Sequence, residues 1–120
     1  MGYRSEVKSL VYGTPEVMTK FKSDNVEILA ALALDFGTEL TQFNNDTFEI
    51  IYLNCCYSKW YDSFAEVIRW HNLLKLANDA ELMSEFVRIG EDCNGDIEQE
   101  YSEIECEYYL QTVCTINANF

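Results

Sequence analysis

From Tyr3 to Tyr12 the side chains alternate: Tyr3, Ser5, Val7, Ser9 and Val11 share one face, while Arg4, Glu6, Lys8, Leu10 and Tyr12 share the other. That period of two predicts a strand, closed by the turn residue Gly13. Thr14-Pro15-Glu16 then reads as a helix start, with Thr as cap, Pro at the first helical position and an acid in the first turn. Val17, Met18 and Phe21 form its apolar stripe. Ser23-Asp24-Asn25 interrupts it, Asp24 and Glu27 make a second capping signal, and the Ala- and Leu-rich stretch runs on to Phe36, with Gly37 as its C-terminal cap. Thr38 to Asp46 reads as loop. Thr47 to Tyr57 is β-branched, aromatic and nearly uncharged, which predicts a central strand. Ser63 and Glu66 form a capping box before a helix whose apolar positions are Phe64, Val67, Ile68, His71, Leu74 and Ala77, ending near Asn78. Glu85 to Gly90 predicts a short strand and Ser102 to Ile116 a longer one, with a turn at Asn94-Gly95 between them. The element order predicts a single α+β domain over residues 1–120. Two helices pack on one face of a mostly antiparallel sheet of about four strands, and the other face meets solvent or a partner.

Composition supports a packed core. Hydrophobic residues are 48% and aromatic residues 14% of the chain, with one Pro and five Gly, which excludes intrinsic disorder. The longest apolar run, Ile28 to Leu34, is far short of the ~20 residues of a membrane-spanning helix. The opening MGYRSEVKS has no apolar signal core, so a cytosolic protein is expected. Cys55, Cys56, Cys93, Cys106 and Cys114 are odd in number and two are adjacent, so reduced, structural thiols are expected.

Charge changes the picture more. Twenty-one acidic residues against eight basic ones give a net charge of −13. Residues 89–120 hold eight of the acids and no base, so about a quarter of the chain carries more than half of the charge. Such a surface repels nucleic acid and anionic membranes and attracts basic protein surfaces. In the segment 103–107, Glu103, Glu105 and Glu107 alternate with Ile104 and Cys106, which puts three carboxylates on one face of a strand. Their spacing of ~6.7 Å is close to two phosphate steps along a DNA strand.

Catalytic chemistry finds little support. His71 is the only histidine, which excludes a His-based metal cluster, and its place on an apolar helix face reads as core. A Cys–His pair using Cys55 or Cys56 has no feature that would activate the thiol. There is no Gly-rich phosphate loop and no G-x-S-x-G. Residues 92–103 place oxygen side chains at calcium-loop positions, but Ile97 occupies the position that needs Gly, so an acidic hairpin is the preferred reading. No catalytic residue, metal or cofactor is expected. Trp60-Tyr61 sits before the second main helix, either as a staple onto the core or as an exposed anchor.

Three stretches, Met1-Gly2-Tyr3-Arg4-Ser5-Glu6-Val7, Lys59-Trp60-Tyr61-Asp62-Ser63-Phe64 and Arg88-Ile89-Gly90-Glu91-Asp92, resemble a group of small uncharacterised bacteriophage proteins. The resemblance covers the start, middle and last third of the chain and carries no assigned activity. It implies action in the cytoplasm of a bacterial host. By analogy with acidic phage proteins that mimic DNA, the expected function is non-catalytic inhibition of a host nucleic-acid-binding protein, such as a defence nuclease, gyrase or polymerase. Glu91, Asp92, Asp96, Glu98, Glu100, Glu103, Glu105 and Glu107 would stand in for phosphates, and Trp60, Tyr101 and Tyr109 would serve as apolar anchors. The alternative is a structural or accessory phage protein whose acidic face only keeps it soluble.

Overall fold

A computed structural model describes residues 3–91, 96–102, 106–112, 116–118 and 120. In chain order its elements are β1 (Ser5–Gly13), α1 (Pro15–Asp24), α2 (Val26–Phe36), β2 (Leu40–Asn44), β3 (Glu49–Ser58), α3 (Ala65–Asp79), β4 (Met83–Gly90), β5 (Ile97–Tyr101), β6 (Leu110–Thr112) and β7 (Ile116–Ala118), with a short 3₁₀ turn at Gly37–Glu39. The fold is α+β. Five strands form an antiparallel sheet in the order β2-β3-β1-β4-β5, and β6 pairs with β7 in a separate hairpin.

The alternation in β1 sorts its side chains as the sequence predicts. Val7 and Val11 enter the core shared with the helices, and Leu10 and Tyr12 enter a second core on the opposite face. β1 is the central strand, flanked by β3 and β4. The break between α1 and α2 falls at Asn25, whose Nδ2 donates to the Phe21 carbonyl at 2.8 Å and so competes with the helical backbone. Gly37 follows α2 with φ 55°, a left-handed value that suits glycine and turns the chain toward β2.

α3 buries Val67, Trp70, Leu73, Leu74 and Ala77, while Ile68 is exposed and His71 half-buried. The apolar stripe is therefore centred on Trp70, a position outside the predicted set. Trp70 Nε1 donates to Ser9 Oγ at 2.9 Å, and Ser9 Oγ donates to the Glu85 carbonyl at 2.7 Å, which satisfies a hydroxyl buried in the sheet. The expected Ser63–Glu66 capping box is not used. Phe64 is the N-cap residue, and no side chain caps the helix.

Two segments differ more substantially. Residues 40–44, expected as loop, form β2; an exposed edge strand needs no alternating apolar face, so its pattern gives no period of two. Ser102 to Ile116 do not form the one long strand expected: among the described residues, 106–109 lie outside any strand, between β5 and the short β6. β5 begins earlier, and the chain from residue 106 crosses the second face of the sheet, where the β6–β7 hairpin covers it. Leu110 and Ile116 pack there with Leu10, Tyr12, Phe48, Ile50, Val87 and Ile89. The sheet face expected to meet solvent or a partner is thus buried within the chain, because β1, β3 and β4 present apolar side chains on both sides.

Candidate functional site

The β4–β5 hairpin carries most of the described acidic tail. Its register places Arg88 opposite Glu98, Phe86 opposite Glu100 and Glu85 opposite Tyr101. Alternation then puts Glu98 and Glu100 on the face toward the helices, beside Arg88. Arg88 is 9% exposed and gathers its neighbours. Its Nε donates to Glu98 Oε1 at 2.8 Å, its Nη1 to Ser5 Oγ at 2.9 Å and to Asp96 Oδ2 at 3.2 Å, and its Nη2 to Asp96 Oδ1. Two of the proposed phosphate substitutes are thereby neutralised within the chain.

The Arg88 guanidinium, helped by the Tyr3 hydroxyl, holds the Asp96 carboxyl below the usual carboxylate range. A carboxylate stabilised in the folded state gives up that stabilisation on protonation. The contribution is therefore complete above about pH 4 and is lost as pH falls through the lowered folded value. Urea midpoints measured between about pH 5 and pH 2 should fall less steeply for Asp96→Asn than for the native chain. Parallel curves would refute the pair's role. Gly90 belongs to the same corner: its N–H donates to the Asp96 carbonyl at 2.8 Å, and a Cβ there would collide with the Asp96 carboxylate and the Tyr3 hydroxyl.

The remaining expected acids are not gathered into one row. Glu91 Oε1 accepts the Arg4 backbone N–H at 2.6 Å, at the end of the hairpin. Glu100 is exposed and lines an open cleft of about 860 Å³ between α3 and the β5 edge, shared with His71, Lys75, Asp79, Ser84 and Tyr101. Glu107 is exposed on the crossing segment, where its backbone N–H donates to the Tyr12 hydroxyl at 2.8 Å. Asp92, Glu103 and Glu105 lie outside the described residues, and so does most of the ladder expected over 103–107.

The three expected anchors are internal to different degrees. Trp60 is a correction. It is 7% exposed, stacked on Phe36 with ring centroids 6.1 Å apart, and it also packs against Phe86 and His71. It staples the approach to α3 onto the core and presents no anchor surface. Tyr101 is half-buried and donates its hydroxyl to the Leu110 carbonyl at 3.1 Å. Tyr109, also half-buried, accepts from Asn45 Nδ2 at 2.9 Å and lies between the rings of Tyr12 and Phe120. Tyr108, 51% exposed, is an exposed aromatic residue of this region that sequence reasoning missed.

Sequence reasoning also missed Glu85, which is fully buried on β4. One carboxyl oxygen accepts from the Tyr12 hydroxyl and the other from the Leu110 N–H at 3.0 Å. Burial and then Glu85 push the Tyr12 phenol well above its ordinary value. This pair ties the crossing segment to the sheet. The signal was present in the alternation of Glu85, Val87 and Ile89, which shows one carboxylate on an apolar face.

Burial raises the Cys55 thiol to about 12, the direction opposite to activation. Cys55 and Cys56 are free thiols. Among the described residues no group of three or more His, Cys, Asp or Glu side chains is arranged to hold a metal ion, and the central part of the expected calcium loop runs as β5.

No protein-family model, curated protein or solved structure matches the chain. The chemistry of this surface is read from its own side chains. It is acidic. Glu100 lies on the helix side of β5 beside the cleft, whereas Glu107 and Tyr108 lie on the crossing segment of the other face, with the Tyr108 ring 5.0 Å from that of Tyr101 at the β5 edge.

Proposed function

We propose that the chain is a non-catalytic, phage-encoded inhibitor that binds a basic, nucleic-acid-binding surface of a bacterial host protein, using the acidic region around β5. The charge balance carries the reading: residues 89–120 bring eight acids and no base. Arg88 offsets part of that charge on one side of the hairpin, which shifts the binding surface to the β5 edge, flanked by Glu100 on the helix side and by Glu107 and the exposed Tyr108 ring on the other. Of the other bases, Lys75 lines the cleft with Glu100 and offsets part of its charge. Lys20, Lys22 and Arg69 already pair with Asp24, Glu49 and Asp35. Surfaces built only for solubility usually mix signs, which favours this reading over a merely accessory protein.

Charged contacts of this kind speed association and are screened by salt. Immobilised protein should capture a host protein from bacterial lysate at low salt and release it in ~1 M salt, where the screening length is only about 3 Å. Added duplex DNA should displace the captured protein, and Glu100→Lys with Glu107→Lys should weaken capture at least tenfold. Capture that survives high salt and ignores duplex DNA would defeat the proposal.

A further inference from the structure

The floor of the cleft between α3 and β5 holds a hydroxyl that the chain does not use. Ser84 stands directly opposite Val11, whose side chain enters the core shared with the helices, so the Ser84 side chain points from β4 toward α3 and into the cleft. The residue is only 7% exposed. Its backbone is fully engaged: the N–H donates to Ser102 Oγ at 3.1 Å, and the carbonyl accepts from the Ser102 N–H at 2.9 Å. Among the described residues its Oγ has no hydrogen-bond partner, at a depth where a hydroxyl ordinarily has one. The walls carry charges that are also unpaired. Asp79 stands in the last turn of α3 and Glu100 on β5, both exposed, and among the described residues neither forms an ion pair, although Lys75 shares the cleft. Asp79 is also set against the negative end of its helix. That last turn holds no base, and Glu81, with φ 60°, adds a second acid just beyond it. Acids at a helix C-terminus are unfavourable, and a cation beside them removes the conflict.

We infer that this cleft receives a guanidinium group, carried on an arginine side chain that the basic partner extends into it. The inference rests on the function proposed above for the partner and deepens it by naming the side chain. The sign of the ligand follows from two carboxylates and a helix C-terminus set against one lysine, in a chain of net charge −13. Its identity follows from the spread of the acceptors. Ser84 Oγ lies on the floor, Glu100 on one wall, and Asp79 with the Asn78 side-chain carbonyl on the other. A planar guanidinium carries five N–H donors and is weakly hydrated, so it serves several separate acceptors and still rests against Leu74. An ammonium gathers its three donors at one strongly hydrated point, which leaves the buried hydroxyl or one carboxylate unserved. The cleft, about 860 Å³, also has room for the aliphatic stem.

The probe is a capped tripeptide with arginine at its centre, titrated into the full chain and followed by amide chemical shifts. It should bind in the millimolar range and move the Asn78, Ser84 and Glu100 signals. The lysine counterpart should bind about threefold more weakly or worse, and the glutamate counterpart should not bind. Asp79→Asn and Ser84→Ala, which preserve side-chain size, should each weaken the arginine peptide about three- to tenfold with unchanged circular dichroism. Lys75→Gln should strengthen it, because a competing cation is gone. Equal binding of the arginine and lysine peptides overturns the inference, and so do shifts confined to other surfaces or weaker binding by Lys75→Gln. Lysate capture separates this inference from the function it rests on. A host protein captured at native strength by the Asp79→Asn, Ser84→Ala double variant overturns the guanidinium site and leaves the acidic-surface function standing. Arginine-peptide binding as expected, with no host protein captured, defeats that function while the preference of the cleft for guanidinium holds.

Discussion

Replacing Glu85 by Ala should lower the unfolding free energy by about 2–5 kcal/mol, because two buried donors lose their acceptor at once. Glu85 is fully buried, and its two oxygens accept from the Tyr12 hydroxyl and the Leu110 N–H. Both donors sit in the second core, under a crossing segment that no α-helix supports. The damage should therefore be local as well as global. Amide hydrogen exchange at Leu110 should accelerate strongly, and that at Glu107 with it, since the Glu107 N–H is held by the Tyr12 hydroxyl. Glu85→Gln should be milder, because it keeps one carbonyl acceptor while facing the other donor with an NH₂ group. An Ala variant with native urea midpoint and native exchange at Leu110 would show that this carboxyl is not what pins the segment.

Arg88→Met should move stability and binding in opposite directions. Arg88 is 9% exposed, and its guanidinium joins Ser5 of β1, Asp96 and Glu98 of β5. Its carboxylate partners are 34% and 48% exposed, so water screens them and the loss should be about 1–2 kcal/mol rather than the full cost of a buried pair. The same substitution removes a positive charge from the β5 region and frees two carboxylates. Under the proposed function, association with a basic partner should become faster and more salt-dependent. If binding weakens, or is unchanged while stability falls, the acidic face of β5 is not the contact surface. Comparing the variant with Glu98→Gln separates the loss of the cation from the loss of an acid.

Much of the framework was legible in local pattern. The alternation in β1 placed Val7 and Val11 on one side and Leu10 and Tyr12 on the other, as found. The interruption at Asn25 and the cap at Gly37 were also readable, since each depends on the chemistry of one residue and its immediate backbone. β2 was not readable, because an exposed edge strand requires pairing with β3 and not an apolar face of its own. The C-terminal region was misplaced for a related reason. β5 is largely polar, and the positions of β5 and the crossing segment come from partners more than ten residues away, such as Glu85 for Leu110 and Ser84 for Ser102.

The acidic surface shows the same division. The amino-acid sequence by itself determined the sign of the charge, its concentration after residue 88 and the α+β class, because counts and periodicity are properties of the chain. Only the tertiary structure decided which carboxylates face outward. Pairing β4 with β5 brings Arg88 against Asp96 and Glu98, packing puts Trp60 in the core, and folding buries Glu85 under the crossing segment. Neutralisation and exposure depend on which side chains lie within a few ångströms in space, and distance along the chain does not specify that.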